Sequence, residues 1–303
     1  MRSPIRRRLA RAAALLLAVA ASCRAAAQGL GEPTTAGSGV GYIDPAPPAT
    51  LFRFRYDASD GDDAPNRAEF FWPRGGPAGP GPRLPERNAD YQDLDCYLEA
   101  AWAPSFSTFV EVPYRFLHPE VNPDAAGLAD MNAGFKYAIV RSDDLVSTFQ
   151  LRTYIPTGDG ARGLGTDHVS LEPAFLVLKR LDDRLTFEGE LRDLVPIGGT
   201  DFAGDVLRYG VGLDYDLWDL GKVRIAPVVE LVGWTVLSGQ VSMVEPSGAV
   251  VQSGAAGNTI VNAKVGVRFW TCNWGDAYVG YGRALTGDRW YANTFRVEWR
   301  LPF

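Results

Sequence analysis

From Leu51 to the last residue, apolar and polar positions alternate with a period of two, and the spacing of an amphipathic helix is almost absent. The final stretch is the clearest. Phe295, Val297, Trp299, Leu301 and Phe303 alternate with Arg296, Glu298, Arg300 and Pro302. On an extended strand successive side chains point to opposite faces, so one face here is apolar and aromatic while the other is charged. Upstream, Leu94, Cys96, Leu98 and Trp102 oppose Asp93, Asp95 and Glu99, and Val110, Val112 and Tyr114 oppose Glu111 and Arg115. Met131, Phe135, Tyr137 and Ile139 oppose Asp130, Asn132 and Lys136. The pattern predicts strands over residues 51–56, 91–102, 106–116, 129–140, 145–156, 168–179, 185–195, 206–218, 222–234, 259–270, 276–285 and 290–303. That is about twelve strands, and all but the first have roughly the 9–11 residues a tilted membrane strand needs.

The connections give an independent signal. Short ones at 103–105, 141–144, 181–183, 219–221 and 272–273 alternate with longer ones at 57–90, 117–128, 157–167, 196–205 and 237–258; the last, 286–289, is brief. Outer-membrane barrels have short periplasmic turns and longer outer loops, and an even strand number puts both termini in the periplasm. The expected fold is therefore all-β, a single antiparallel transmembrane β-barrel over residues 51–303. A soluble sandwich or barrel also alternates, but its apolar face is a core. Trp102, Tyr114, Trp270 and Trp299 near strand ends read instead as an aromatic girdle. Outer-membrane lipid is the expected neighbour of the apolar faces, and the aromatic rings are expected outside the barrel.

Composition adds a compartment and removes several functions. Residues 1–27 carry Arg2, Arg6, Arg7, Arg8, Arg11 and Arg24 with no acid, a short apolar run, and Ala25, Ala26 and Ala27 before Gln28. This is the layout of a cleaved secretory signal peptide, too short in its apolar run to span a membrane. Losing six arginines leaves the remainder roughly twice as negative as the formal −6 of the whole chain. An alternative reading makes Cys23 an acylated lipoprotein residue. Residues 28–50, rich in Gly, Pro, Thr and Ala, read as a flexible periplasmic lead-in. The expected location is the bacterial outer membrane. Two His and three Cys exclude a multi-histidine metal site and a disulfide scaffold. Net negative charge argues against nucleic acid. No metal or cofactor is expected.

If the apolar faces meet lipid, the other faces line the lumen. The positive residues there are Arg53, Arg55, Arg115, Lys136, Arg152, Arg192, Arg208, Arg224, Lys264, Arg268, Arg296 and Arg300. The negative ones are Asp93, Asp95, Glu99, Glu111, Asp130, Glu172, Glu188, Glu190, Asp214, Asp216, Glu230 and Glu298. The two signs are equal in number, whereas a strongly ion-selective pore shows one sign at its constriction. Balance points to cross-strand ion pairs that fill or narrow the interior. Charge ladders lining a path and charges that merely satisfy one another both fit.

Leu151-Arg152-Thr153-Tyr154-Ile155-Pro156-Thr157-Gly158-Asp159-Gly160, preceded by Gly127-Leu128-Ala129-Asp130 and Gly134-Phe135-Lys136-Tyr137, resembles a strand-end signature of one bacterial family. That family is the transporter-like outer-membrane barrels named for the meta-pathway of phenol degradation. The resemblance runs from about residue 90 to 303 and implies passage of small, aromatic or hydrophobic solutes, without defined site residues. Physically, Pro156-Thr157-Gly158-Asp159 is strand-ending turn chemistry.

Other features carry competing readings. His168 and Ser170 stand two apart on one strand face with Glu172 beyond, a spacing shared with some barrel phospholipases. They lie on the lumen face, however, and a lipid hydrolase works on the outside, so no enzymatic activity is expected. Cys96 is expected on the lipid face and Cys272 in a periplasmic turn, too far apart to bridge. Residues 57–90, with Arg67-Ala68-Glu69-Phe70-Phe71-Trp72, read as an aromatic loop packed on the rim or as a lid. The strand that ends on Phe303 resembles the signal read by the barrel-assembly machinery. The expected role is a channel for small solutes; a non-conducting structural or surface-interaction barrel is the alternative.

Overall fold

A computed structural model describes residues 38–63, 65, 81–82, 84–197, 202–220, 223–244, 247, 249–271 and 274–303. Twelve strands form a closed antiparallel barrel: β1 Leu51–Asp62, β2 Ala89–Ala103, β3 Phe106–Pro119, β4 Met131–Arg141, β5 Leu145–Ile155 and β6 Val169–Arg180, then β7 Leu185–Ile197, β8 Val206–Tyr215, β9 Val223–Val236, β10 Thr259–Thr271, β11 Gly275–Ala284 and β12 Asn293–Pro302. Each strand pairs with its neighbours in sequence, and β12 closes on β1 from Leu51↔Pro302 to Asp60↔Asn293. Closure leaves no unpaired sheet edge, a requirement for any sheet that meets hydrocarbon.

The alternation sorts side chains as the sequence implies. On β12, Phe295, Val297 and Trp299 are 44, 40 and 37 % exposed, while Arg296, Glu298 and Arg300 are 9, 0 and 4 % exposed. A water-soluble barrel of this kind would hide the first set and expose the second; this one does the reverse.

β1 runs to Asp62, well past the expected end at Tyr56. Its outer half carries Ala58 and Asp60 where a lipid-facing strand would carry large apolar residues, so the hydropathy signal fades while pairing to β2 and β12 continues. Gly61, with φ of +71°, sits in the bulge that ends it, in a conformation only glycine adopts cheaply. A small hairpin, Gln240–Val244 with Val250–Gly254, lies within the long connection between β9 and β10 and was not expected.

The segment before β1 departs most from expectation. Residues 38–50 do not hang below the barrel as a flexible lead-in but enter it. Val40, Tyr42, Ile43 and Ala46 are buried inside, against Val228 and Val232 of β9, Tyr278 of β11 and Leu176 and Leu178 of β6. Room for it comes from missing side chains on the inner wall: a Cβ on Gly212 of β8 would lie 2.7 Å from Val40 Cγ1. The residues 1–37, and with them the expected signal peptide and Cys23, lie outside the described residues, as do Cys272 and the stretch Arg67–Trp72.

Candidate functional site in the barrel lumen

Residues 38–50 form an arch that rises from the barrel end at which β1 begins and β12 finishes, turns over near Tyr42 to Asp44 and returns to Leu51. It makes no strand pairing, so its backbone polar groups need partners from the wall. The inward carboxylates supply them. Glu230 accepts the N–H groups of Gly41 (3.1 Å), Tyr42 (2.9 Å) and Ile43 (3.0 Å). Glu188 accepts from Gly39 and Val40, Glu190 from Asp44, and Glu99 from Ala49. Arginines satisfy the carbonyls: Arg268 donates to those of Gly39 and Val40, Arg300 to those of Ser38 and Val40, Arg296 to that of Gly41 and Arg208 to that of Tyr42. Thr148 donates to the carbonyl of Ala46. The wall thus presents alternating charges because it must read a bare peptide backbone, which needs acceptors and donors in equal measure.

Asp44, at the crest, is the arch's own charged contribution. Its carboxylate lies 2.6 Å from Arg152, 3.1 Å from Arg192 and 3.8 Å from Arg53, and accepts from Gln150 as well. Asp44 and Thr148 are not among the expected lumen residues, whereas Gln150 shares the polar strand face of Arg152. A signal was present: Pro45, Pro47 and Pro48 lack the N–H that a barrel strand requires, while residues 38–44 are too apolar for a solvated tether.

Most of the remaining expected lumen residues form ion pairs. Arg53 and Arg55 meet Glu111, Arg55 meets Asp95, and Arg115 forms a two-pronged pair with Asp93 at 2.8 and 2.7 Å. Lys136 meets Glu99, and Arg192 bridges Glu172 and Glu190, the latter also meeting Arg208. Arg268 joins Asp276 and Glu298, and Arg296 grips Asp57 through both oxygens. Lys264 is buried on β10, whereas Asp214 is buried toward the periplasmic mouth. Asp130 and Asp216 sit at the barrel's rims instead of in its wall. Asp130 accepts from Gly158 N, Thr166 N and the Thr166 hydroxyl, bracing the loop of residues 156–168. Thr157 ties that loop to β4, accepting from Met131 N and donating to the Ala129 carbonyl. The Pro156–Asp159 signature is here a loop exit.

Aromatic rings correct another expectation. Trp102, Tyr114 and Trp299 do face outward, but Trp270 shares the parity of Lys264 and Arg268 and turns inward, with the Arg224 guanidinium 3.7 Å from its ring centre. Tyr42, Tyr91, Tyr97, Phe109 and Tyr278 are buried inside as well. The outside expectation failed because an inward ring next to an arginine packs through cation–π contact as readily as an outward ring packs on lipid. Arg53 over Tyr97 at 4.2 Å and Arg296 over Tyr42 at 4.0 Å are two more cases.

Above the arch the lumen opens into a cavity of about 390 Å³. Tyr42 and Asp44 form its floor, and Arg55, Arg115, Arg208, Lys264, Trp234, Trp290 and Tyr291 are among its walls. Leu164 and Thr166 reach over it from the loop of residues 156–168. His168 and Ser170 also line it; the His168 Nδ1 sits 2.8 Å from the Thr166 carbonyl oxygen. At the barrel end opposite the loop of residues 156–168, a second space of about 600 Å³ lies among the short turns, walled by Asp143, Asp144, Asp182, Asp183, Asp214, Asp216 and Asp219 with Arg180 and Arg224. A small void of about 20 Å³ remains between Ser38, Pro45 and Pro47 of the arch and the wall residues Arg53, Tyr97, Glu99, Lys136 and Arg300.

No protein-family profile and no curated protein matches this sequence. Solved structures do. An outer membrane channel from Pseudomonas putida F1 aligns over 90 % of this chain and 99 % of its own, at 12 % identity and a TM-score of 0.54. The beta domain of the Bordetella autotransporter BrkA aligns over 84 % of this chain and 99 % of its own, at 13 % identity and a TM-score of 0.50. The fold is that of the outer-membrane β-barrels.

Proposed function

We propose that this chain is an outer-membrane channel for small solutes, in which the arch of residues 38–50 narrows the lumen and the cavity above it receives the solute. The observation that carries this reading is a lumen cavity lined in part by Tyr42 and Asp44, residues of a segment held inside the barrel by side-chain contacts instead of strand pairing. Such a segment can move without breaking the barrel. The fold it shares with an outer membrane channel supports the reading, and the mixture of rings and paired charges in the outer cavity favours small aromatic or hydrophobic solutes, as the resemblance to the phenol-degradation family implies. On this reading residues 1–27 address the chain for export, both termini are periplasmic, and the last strand with Phe303 is what the barrel-assembly machinery engages.

Planar-bilayer recording and liposome swelling with the full mature protein test it. Small but measurable conductance and uptake of small solutes support a channel. Their absence favours the second reading, a non-conducting structural or surface barrel, for which the dense bonding of the arch speaks.

A further inference from the structure

We propose that Lys264 is the carboxylate-binding group of a site for small aromatic acids in the outer cavity. This rests on the reading of the lumen as a path for small solutes and narrows the class of solute.

Six arginines face the same cavity, and each has a carboxylate of its own: Arg55 has Asp95, Arg115 has Asp93, Arg152 has Asp44, Arg192 has Glu172, Arg208 has Glu190 and Arg296 has Asp57. Lys264 is the exception. It is 4 % exposed, and among the described residues it forms no ion pair; its hydrogen-bond partner is the Tyr291 hydroxyl. Its natural partner is Glu230, directly across the β9–β10 pair. That carboxylate is turned to the arch, where it takes three backbone N–H groups. Lys264 instead donates to the Tyr291 hydroxyl at 2.5 Å and lies over the ring of Tyr42 at 3.5 Å, with Tyr291 and Trp234 farther round it.

A buried ammonium has three protons to donate, and only one meets a side-chain oxygen here. The rings soften its burial but supply no counter-ion. A carboxylate entering the cavity from the outside would complete the ion pair that Glu230 leaves open. The same corner carries Trp234 and Trp290, edge to face with ring centres 5.1 Å apart, and Tyr291. These surfaces accept a flat ring and offer little to a small aliphatic or inorganic anion. Charge and rings together therefore define a monocyclic aromatic carboxylate.

The test is binding of benzoate, benzyl alcohol and acetate to the full mature protein in detergent, read by calorimetry and by quenching of tryptophan fluorescence. Heat-modifiable gel mobility confirms that each variant is folded. Benzoate is expected to bind roughly tenfold or more tightly than either benzyl alcohol or acetate. Lys264→Gln is expected to remove that advantage over benzyl alcohol while leaving benzyl alcohol binding unchanged; Lys264→Arg is expected to keep much of it. Equal binding of benzyl alcohol and benzoate, equal binding of acetate and benzoate, unaltered benzoate binding by Lys264→Gln, or no benzoate binding at all would each overturn the proposal. Ligand-free conductance is read separately: a conducting barrel that ignores benzoate refutes this site alone, and a non-conducting barrel that binds it refutes only the channel.

Discussion

Asp44 Oδ2 accepts a hydrogen bond from Arg152 Nη2 at 2.6 Å, and this contact joins the crest of the arch to the barrel wall. Arg192 and Arg53 converge on the same carboxylate. Each of the three guanidinium groups also meets a wall carboxylate, Glu111 or Glu172, and Asp44 adds the anion that ties the arch to all of them. Asp44→Asn keeps the shape and removes one of the anions those cations share, at a cost of up to about 3–5 kcal/mol for a buried pair. The expected outcome is a looser arch: larger or more frequent conductance steps in planar bilayers, with the barrel still heat-modifiable. Conductance identical to that of the unaltered protein would remove Asp44 from the closing device.

Gly212 offers an independent handle, because it acts by space and not by charge. Its missing side chain admits Val40, and a Cβ there would also come within 3.3 Å of Ile43 Cδ1. Gly212→Leu is expected to expel the arch without touching strand pairing. A bulky thiol reagent aimed at a cysteine placed at Ser38 should then react much faster than in the same cysteine variant that keeps Gly212.

At the outer rim, Asp130 gathers three donors from the loop of residues 156–168. Each lost bond of this kind costs about 0.5–1.5 kcal/mol. Asp130→Ala is expected to free that loop, seen as faster proteolytic nicking near Arg162, and to widen entry to the cavity that Leu164 and Thr166 overhang. Unchanged nicking would show that Thr157 alone suffices to hold it.

The short turn between β6 and β7 carries a pH dependence. Backbone N–H groups of Arg184 and then Leu185 donate to Asp182 and hold its carboxyl below the ordinary carboxylate range. A group depressed in the folded state adds stability above its unfolded value, about 3.9, and loses it as pH falls through the folded value. Hydrogen-exchange protection at Arg184 and Leu185, taken relative to the intrinsic rate at each pH, should therefore fall only on the acid side of that range, and Asp182→Ala should remove it at all pH values.

Much of this fold is legible in the sequence, for a physical reason. A membrane barrel strand must alternate strictly, since one face meets hydrocarbon and the other a wet or charged interior; the run from Phe295 to Phe303 states this outright. The same parity puts Arg53, Glu111, Arg192 and Glu298 inside. What the sequence hides is what those charges meet. An arch such as residues 38–50 has no period, because it is held by groups scattered from Glu99 to Arg300. Trp270 was misplaced because position near a strand end outweighed parity with Arg268. The role of Glu230, caught between Lys264 and the arch, needs three separate segments in one place before it can be seen.

The most direct measurement is single-channel conductance of the mature protein compared with a variant lacking residues 38–49, which keeps all twelve strands. If the arch divides an otherwise continuous path, the deletion is expected to raise conductance severalfold and to admit larger solutes in liposome swelling. Equal conductance in the two proteins, or none in either, would contradict the account.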